Sequence, residues 1–154
     1  MMDITVRNAA EADIETVCEL EKQCFSDPWS ESFFHRLLRT DSLFLVALCD
    51  GKVTGYAAFG QYGEEAELYN IAVAPDQRGK GIAGKLLCEG FSRLTGAIKV
   101  YLEVRESNAQ AISLYEKFGF SYDSEPFMTR GEMHVAMSVP SNGITWFSDC
   151  GGKH

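Results

Sequence analysis

The sequence predicts an α/β (α+β) fold: a mixed, mostly antiparallel sheet of about seven strands flanked by about four helices. Three observations carry this. Short apolar runs fill Ser42 to Val73, where Asp50-Gly51 supplies the turn chemistry of a tight hairpin. Stripes at helical spacing precede and follow those runs. A strand, glycine-rich loop, helix and strand in succession from Ala66 to Val104 then require a parallel crossover.

The elements follow in order. Ile4-Thr5-Val6 reads as a strand, and Ile14, Val17, Cys18 and Cys24 mark the apolar face of a first helix. Asp27-Pro28-Trp29 breaks it. Ser30 is placed to cap a second helix carrying Phe33, Phe34, Leu37 and Leu38, with Trp29 and Phe34 forming a hydrophobic staple. Strands over Leu43 to Leu48, Val53 to Phe59 and Ala66 to Val73 make an antiparallel meander. After Pro75 a helix carries Ile82, Leu86, Leu87, Gly90, Phe91 and Leu94, followed by a strand from Ile98 to Val104. Asn108 caps a last helix that Gly119 ends in the left-handed conformation. Two strands close the fold, around Phe120-Ser121-Tyr122 and His134 to Val139. Residues 1–140 are expected to form one domain, with a loosely ordered tail over 141–154, where periodicity is lost and Gly and Ser accumulate.

Composition excludes several classes of function. Apolar residues at 45% and charged residues at 23% of 154 are those of a globular protein, and that length buries roughly two-thirds of its unfolded surface. The longest apolar run, Leu43 to Cys49, is far too short to cross a bilayer, and Met1-Met2-Asp3 has no basic-then-apolar leader, so a cytoplasmic protein with no membrane partner is expected. Five scattered cysteines without Cys-x-x-Cys argue against a disulfide framework or a zinc site and are expected to be reduced; His35, His134 and His154 do not cluster, so no metal is expected. A net charge of −8 counts against direct nucleic-acid binding. Residues 1–76 carry 14 acids and 5 bases, and residues 77–154 carry 8 and 9. That asymmetry suits a cationic substrate on the first half and an anionic cofactor on the second, or simply solvated faces.

The loop Arg78-Gly79-Lys80-Gly81 admits several readings. Gly79-x-Gly81-x-x-Gly84 satisfies a dinucleotide fingerprint, with Glu103 about where a ribose-binding acid falls, but Ala74 to Arg78 separate the strand from the first glycine. As Gly79-x-x-x-x-Gly84-Lys85 it resembles a nucleotide triphosphatase loop, yet Leu86 stands where a magnesium-binding hydroxyl belongs. As Arg78-x-x-Gly81-x-Ala83 its small residues let helix-terminal amides approach a pyrophosphate. A plain loop-to-helix turn is the fourth possibility.

Leu68-Tyr69-Asn70-Ile71-Ala72-Val73-Ala74-Pro75, then Gln77-Arg78-Gly79-Lys80-Gly81-Ile82-Ala83, then Leu102-Glu103-Val104-Arg105 and Asn108 to Phe120, together resemble the Gcn5-related N-acetyltransferase (GNAT) superfamily. They are most similar to its RimI-type branch, which acetylates the N-terminal alanine of a ribosomal protein. Pro28-Trp29-Ser30 adds to that similarity, in the region where the resemblance implies that the amine substrate lies. The resemblance implies the GNAT fold, its sheet split by a bulge, and an N-acetyltransferase that moves acetyl from acetyl-CoA to an amine in a ternary complex without a metal. The implied acceptor is the N-terminal alanine of a basic protein of the small ribosomal subunit, for which the acidic Glu64, Glu65 and Glu67 would be suited. A lysine side chain or a small-molecule amine is the alternative, and a non-catalytic acyl-CoA-binding module is the alternative of another class.

The same resemblance implies the site residues. The backbone of Ile71 and Val73 would pair with the pantetheine arm, and the amide of Val73 would meet the thioester oxygen. Arg78, Gly79, Lys80, Gly81, Ile82, Ala83 and Gly84 would hold the pyrophosphate, and Asn108 would touch the pantetheine region. Glu103 would be the general base and Tyr115 the general acid. An α-amine, with a pKa of about 7.7–8.0, is mostly protonated at neutral pH, so a base is needed, and a free Glu near 4.3 would need partial burial to serve. A phenol near 10 is roughly matched in acidity to the leaving thiol. The segment Glu125 to Glu132 is shorter than the Tyr-rich, acidic loop usual in the RimI-type branch.

Overall fold

The structure, a computed structural model, describes residues 3–140; the predicted tail lies outside the described residues. Among the described residues, eight strands and four α-helices give the mixed, mostly antiparallel fold expected, with one strand beyond the predicted number. Backbone contacts group the chain into two compact units.

The first unit comprises residues up to Gly60 together with Leu68–Thr95. It holds β1 (Ile4–Asn8), α1 (Ile14–Cys24), α2 (Glu31–Leu38), β2 (Leu43–Cys49), most of β3 (Lys52–Tyr62), the second part of β4 (Glu65–Val73), and α3 (Ile82–Arg93). β2 lies antiparallel between β1 and β3. Asp50 and Gly51, at φ 54° and 84°, form the left-handed pair that a two-residue turn demands, and Cys49 faces Lys52 across it. Ser30 caps α2 as expected, its Oγ accepting from the Phe33 amide at 3.2 Å, and the Trp29 ring lies 5.9 Å from that of Phe34. Phe34, Phe44 and Tyr56 meet edge-on or stacked beneath Ile14, Val17 and Leu37. This aromatic cluster is the centre of the unit's core.

The helix α3 buries Ile82, Leu86, Leu87, Gly90 and Phe91. Gly90 is there because nothing larger fits: a Cβ would stand 2.4 Å from the fully buried ring of Phe59. Gly90→Ala is therefore expected to destabilise the fold by about 3 kcal/mol, read as a lower midpoint of urea unfolding at unchanged slope.

The second unit comprises Gln61–Glu67 and residues from Gly96 onward. It contains β5 (Lys99–Arg105), α4 (Ala109–Lys117), β6 (Ser121–Tyr122), β7 (Phe127–Thr129) and β8 (Glu132–Pro140). β5 pairs in parallel with the start of β4, from Glu65↔Lys99 to Glu67↔Tyr101, and antiparallel with β8 along its whole length. Val100, Leu102 and Val104 are buried, and the residues between them point to the other face. The strand missed from sequence is β7, within the segment read as a loop. Arg130 and Gly131, at φ 51° and 80°, close a two-residue hairpin onto β8, with Thr129 facing Glu132. Arg-Gly is a weaker turn signal than Asp-Gly, which is why the hairpin was not legible.

Cys18, Cys24 and Cys49 are free thiols, but Cys88 is disulfide-bonded, so the expectation of five reduced cysteines fails there. No helix among the described residues is long and apolar enough to cross a membrane.

Candidate active site

The loop predicted to grip a diphosphate ends at Gly81, which caps α3 in the left-handed conformation (φ 83°) with no side chain over the helix end. The first intrahelical bond runs from the Lys85 amide to the Gly81 carbonyl at 3.0 Å, so the amides of Ile82, Ala83 and Gly84 come before it and have no acceptor in the helix. Gly79 is also left-handed (φ 82°), and a Cβ on either glycine would meet nothing within 4 Å. No acid occupies the first turn of α3. Open space, a row of amides and the positive end of a helix dipole fit an anionic diphosphate. The dinucleotide and triphosphatase alternatives gain no support from elsewhere in the unit, where β2 lies antiparallel between β1 and β3.

Arg78 is used differently from what the sequence implied. Its Nε donates to the Val73 carbonyl at 3.2 Å and its Nη2 lies 3.3 Å from the Cys24 sulfur, which itself donates to Val73 O at 3.4 Å. The guanidinium thus ties the loop to the end of β4. Lys80 donates to Gln77 at 2.9 Å and is exposed. Ile71 is half-buried and Val73 buried at the end of the same strand.

In the second unit, Asn108 caps α4 as predicted, its Oδ1 accepting from the Ala111 amide at 3.1 Å. The other end of α4 fixes Tyr115. Gly119, at φ 100°, lets the Phe120 amide reach back to the Tyr115 carbonyl (3.0 Å) and the Gly119 amide to Glu116 (3.0 Å), a Schellman closure. Phe120 packs on the Tyr115 ring with centroids 5.7 Å apart. The ring is buried, but its hydroxyl has no hydrogen-bond partner among the described residues, and no side-chain oxygen there is both buried and unpaired, so its tip remains open. Burial pushes the phenol up, away from the acidity match expected with a thiol. The proton is consequently held on Tyr115 at every working pH.

Glu103 points to the face that carries Tyr101, and Glu67 stands opposite Tyr101 on that same face. Glu103 is exposed, so the partial burial expected of the base is absent; Arg105, two residues on, pairs with Glu132 at 3.1 Å. The carboxyl that burial raises is Glu67, and the neighbouring charge of Glu103 raises it further. Tyr101 is likewise raised by burial and then by Glu67 and Glu65. Sequence reasoning saw Glu67 only as one of three surface acids. The period-2 register, which puts it beside Glu103, was the signal available.

A second feature was missed in the first unit. Glu21 is 1% exposed and accepts from the Tyr56 hydroxyl (2.5 Å), the Trp29 amide (3.1 Å) and the Asn70 side chain (3.3 Å). Its spacing from Val17 and Cys24 places it on the apolar stripe of α1, which is where a charged residue should draw notice. Among the described residues no group of three or more His, Cys, Asp or Glu is placed to hold a metal. His35 lies between Glu11 and Glu31 instead.

Residues 14–120 match the model of the acetyltransferase (GNAT) family. The chain belongs to that family. It is 36% identical over 124 residues to the N-alpha-acetyltransferase RimI of Mycobacterium tuberculosis, covering 76% of this chain and 78% of that one. To the ribosomal protein bS18-alanine N-acetyltransferase of Salmonella typhimurium it is 34% identical over 119 residues, covering 76% and 80%. Among solved structures, the ribosomal-protein alanine N-acetyltransferase of Escherichia coli superposes with a TM-score of 0.80 at 30% identity over 90% of this chain and 94% of that one. Ard1 of Thermoplasma volcanium superposes with 0.81 at 26% identity, over 89% and 97%. This GNAT member is an acetyl-CoA-dependent N-acetyltransferase, and it has the GNAT fold.

Proposed function

We propose that this acetyltransferase modifies the N-terminal α-amine of a ribosomal protein, an alanine in the first instance, and that it works in the cytoplasm as one catalytic domain over residues 1–140. The relatives at 34–36% identity that are named for this reaction carry the reading. The adjacent carboxylates Glu67 and Glu103 support it, because they offer an incoming ammonium a negative and proton-accepting surface. The acceptor is then the basic N-terminus of a small-subunit protein, recognised without direct contact to nucleic acid.

Bound acetyl-CoA supplies the acetyl group as a thioester. The amides of Gly79 to Gly84 hold its diphosphate with Arg78 and Lys80 beside them, the backbone of Ile71 and Val73 holds the pantetheine arm, and Asn108 contacts that arm. Glu103 takes a proton from the α-ammonium, directly or through water, which frees the nitrogen lone pair to form the new amide bond. Tyr115 gives its proton to the departing sulfur as the carbon–sulfur bond breaks, and the second proton lost from the acylated nitrogen restores the phenol, so that amide and thiol leave and the one net proton passes from Glu103 to solvent.

One observation favours a different acceptor. The segment expected to be long and Tyr-rich by resemblance to the RimI-type branch is here the tight β7–β8 hairpin, a departure that would suit a lysine side chain or a polyamine as acceptor. A panel of Ala-, Ser- and Met-initiated peptides, lysine peptides blocked at the N-terminus, and polyamines, each with acetyl-CoA and read by mass spectrometry, separates the two. Acetylation confined to α-amines with a preference for alanine is expected. Modification of lysine side chains or polyamines alone would replace the N-terminal assignment. Acetyl-CoA binding without turnover of any amine would leave a binding module.

A further inference from the structure

Glu21 is a buried carboxylate with no ion-pair partner among the described residues, and the proposed chemistry does not use it. Its two oxygens face different parts of the fold. Oε1 accepts from the Tyr56 hydroxyl on β3 at 2.5 Å and from Asn70 Nδ2 on β4 at 3.3 Å; Oε2 accepts from the backbone amide of Trp29 at 3.1 Å and from Asn70 Nδ2 at 3.5 Å. Asn70 also donates to the Tyr56 hydroxyl at 2.9 Å, which closes the network. Trp29 belongs to the linker between α1 and α2, a segment with no regular structure of its own, and its ring packs on Phe33 and Phe34. One side chain therefore joins an irregular linker to two strands, and one of those strands contributes Ile71 next to Asn70. Burying a carboxylate is costly, and four hydrogen bonds from neutral donors offset that cost at Glu21.

We infer that Glu21 is a positioning residue for the acceptor: by accepting from Trp29, Tyr56 and Asn70 together it pins the Asp27–Ser30 linker to β3 and β4, and so fixes the surface against which the amine substrate is held. The inference rests on the proposed reading of the Pro28-Trp29-Ser30 segment as the acceptor side. A neutral amide in its place would break the arrangement. Gln has one acceptor oxygen, so if that oxygen stays with Tyr56, its NH2 meets the Trp29 N–H donor to donor; if it turns to Trp29, the NH2 meets the Asn70 amide. Burial holds the Glu21 carboxyl above the usual carboxylate range, opposed by the bonds from Tyr56 and Trp29. That opposition marks the donors as its supports.

Two measurements test this. Steady-state kinetics of Glu21→Gln, with whichever amine proves to be the substrate, are expected to show an acceptor KM raised about tenfold, kcat within about threefold, and acetyl-CoA affinity within about twofold of the wild type. An unchanged acceptor KM, or loss of acetyl-CoA affinity in parallel with it, would overturn the inference, because a merely structural role moves both. Hydrogen exchange on the wild type needs no variant and no acceptor. The Trp29 amide should exchange at least about a hundredfold more slowly than those of Ser26 and Asp27, and equal rates would overturn the pinning even if the variant failed to fold. Because exchange does not depend on which amine is acetylated, failure of the N-terminal assignment and failure of this inference remain distinguishable.

Discussion

Tyr115→Phe should lower kcat by about a hundredfold or more while leaving acetyl-CoA binding and the thermal midpoint nearly unchanged. The geometry separates these effects. The ring is held by the Schellman closure of α4 and by Phe120, and Phe keeps every one of those contacts. The hydroxyl makes no hydrogen bond among the described residues, so removing it leaves no orphaned partner and costs little stability. What is lost is the proton. Burial raises the phenol, so it remains protonated throughout the range in which the enzyme could be assayed, and the basic limb of the kcat profile should not report its ionisation. The loss should shrink with a thioester whose thiol is more acidic, because a better leaving group depends less on a donor. A loss of the same size for both thioesters, or a fall in stability matching the fall in rate, would assign the ring to packing alone.

How far the sequence could be read depended on whether a feature was local. The Asp50-Gly51 turn, the Ser30 and Asn108 caps and the Gly119 terminus are each set by side chains within a few residues, and all four appear where expected. Gly79 and Gly81 both adopt left-handed backbone, a conformation that is nearly a property of glycine itself. Pairing across strands is not local. The Arg130-Gly131 hairpin depends on β8 being present to receive β7, and the coupling of Glu67 to Glu103 depends on a parallel register that pairs residues far apart in sequence, Glu67 with Tyr101. Glu21 was hidden for a third reason. A carboxylate on an apolar stripe becomes intelligible only once Tyr56, Asn70 and the Trp29 amide, from three separate segments, are found around it. Arg78 shows the converse, since a cation beside a phosphate-type loop is claimed first by the nearest carbonyl, that of Val73.

The carboxylate pair gives the sharpest test of the proposed mechanism. Glu103→Gln should lower kcat/KM for the amine by roughly a hundredfold to a thousandfold, whereas Glu67→Gln should cost less than about tenfold. Only Glu103 lies beyond the last β4–β5 pair, Glu67↔Tyr101, with its side chain exposed to an incoming ammonium. Glu67 is half-buried and is raised first by that burial and then by the charge of Glu103. The sign follows from this. A carboxyl whose folded pKa is raised favours its protonated form, so as the pH falls Glu67 takes up its proton earlier than an ordinary carboxyl would. Glu103→Gln removes the neighbouring charge, and the Glu67 titration followed by carbon NMR should move down toward the ordinary carboxylate range while remaining above it, because burial persists. If Glu67→Gln proves the more damaging substitution, the proton from the amine passes to the buried member of the pair, and Glu103 acts by raising it.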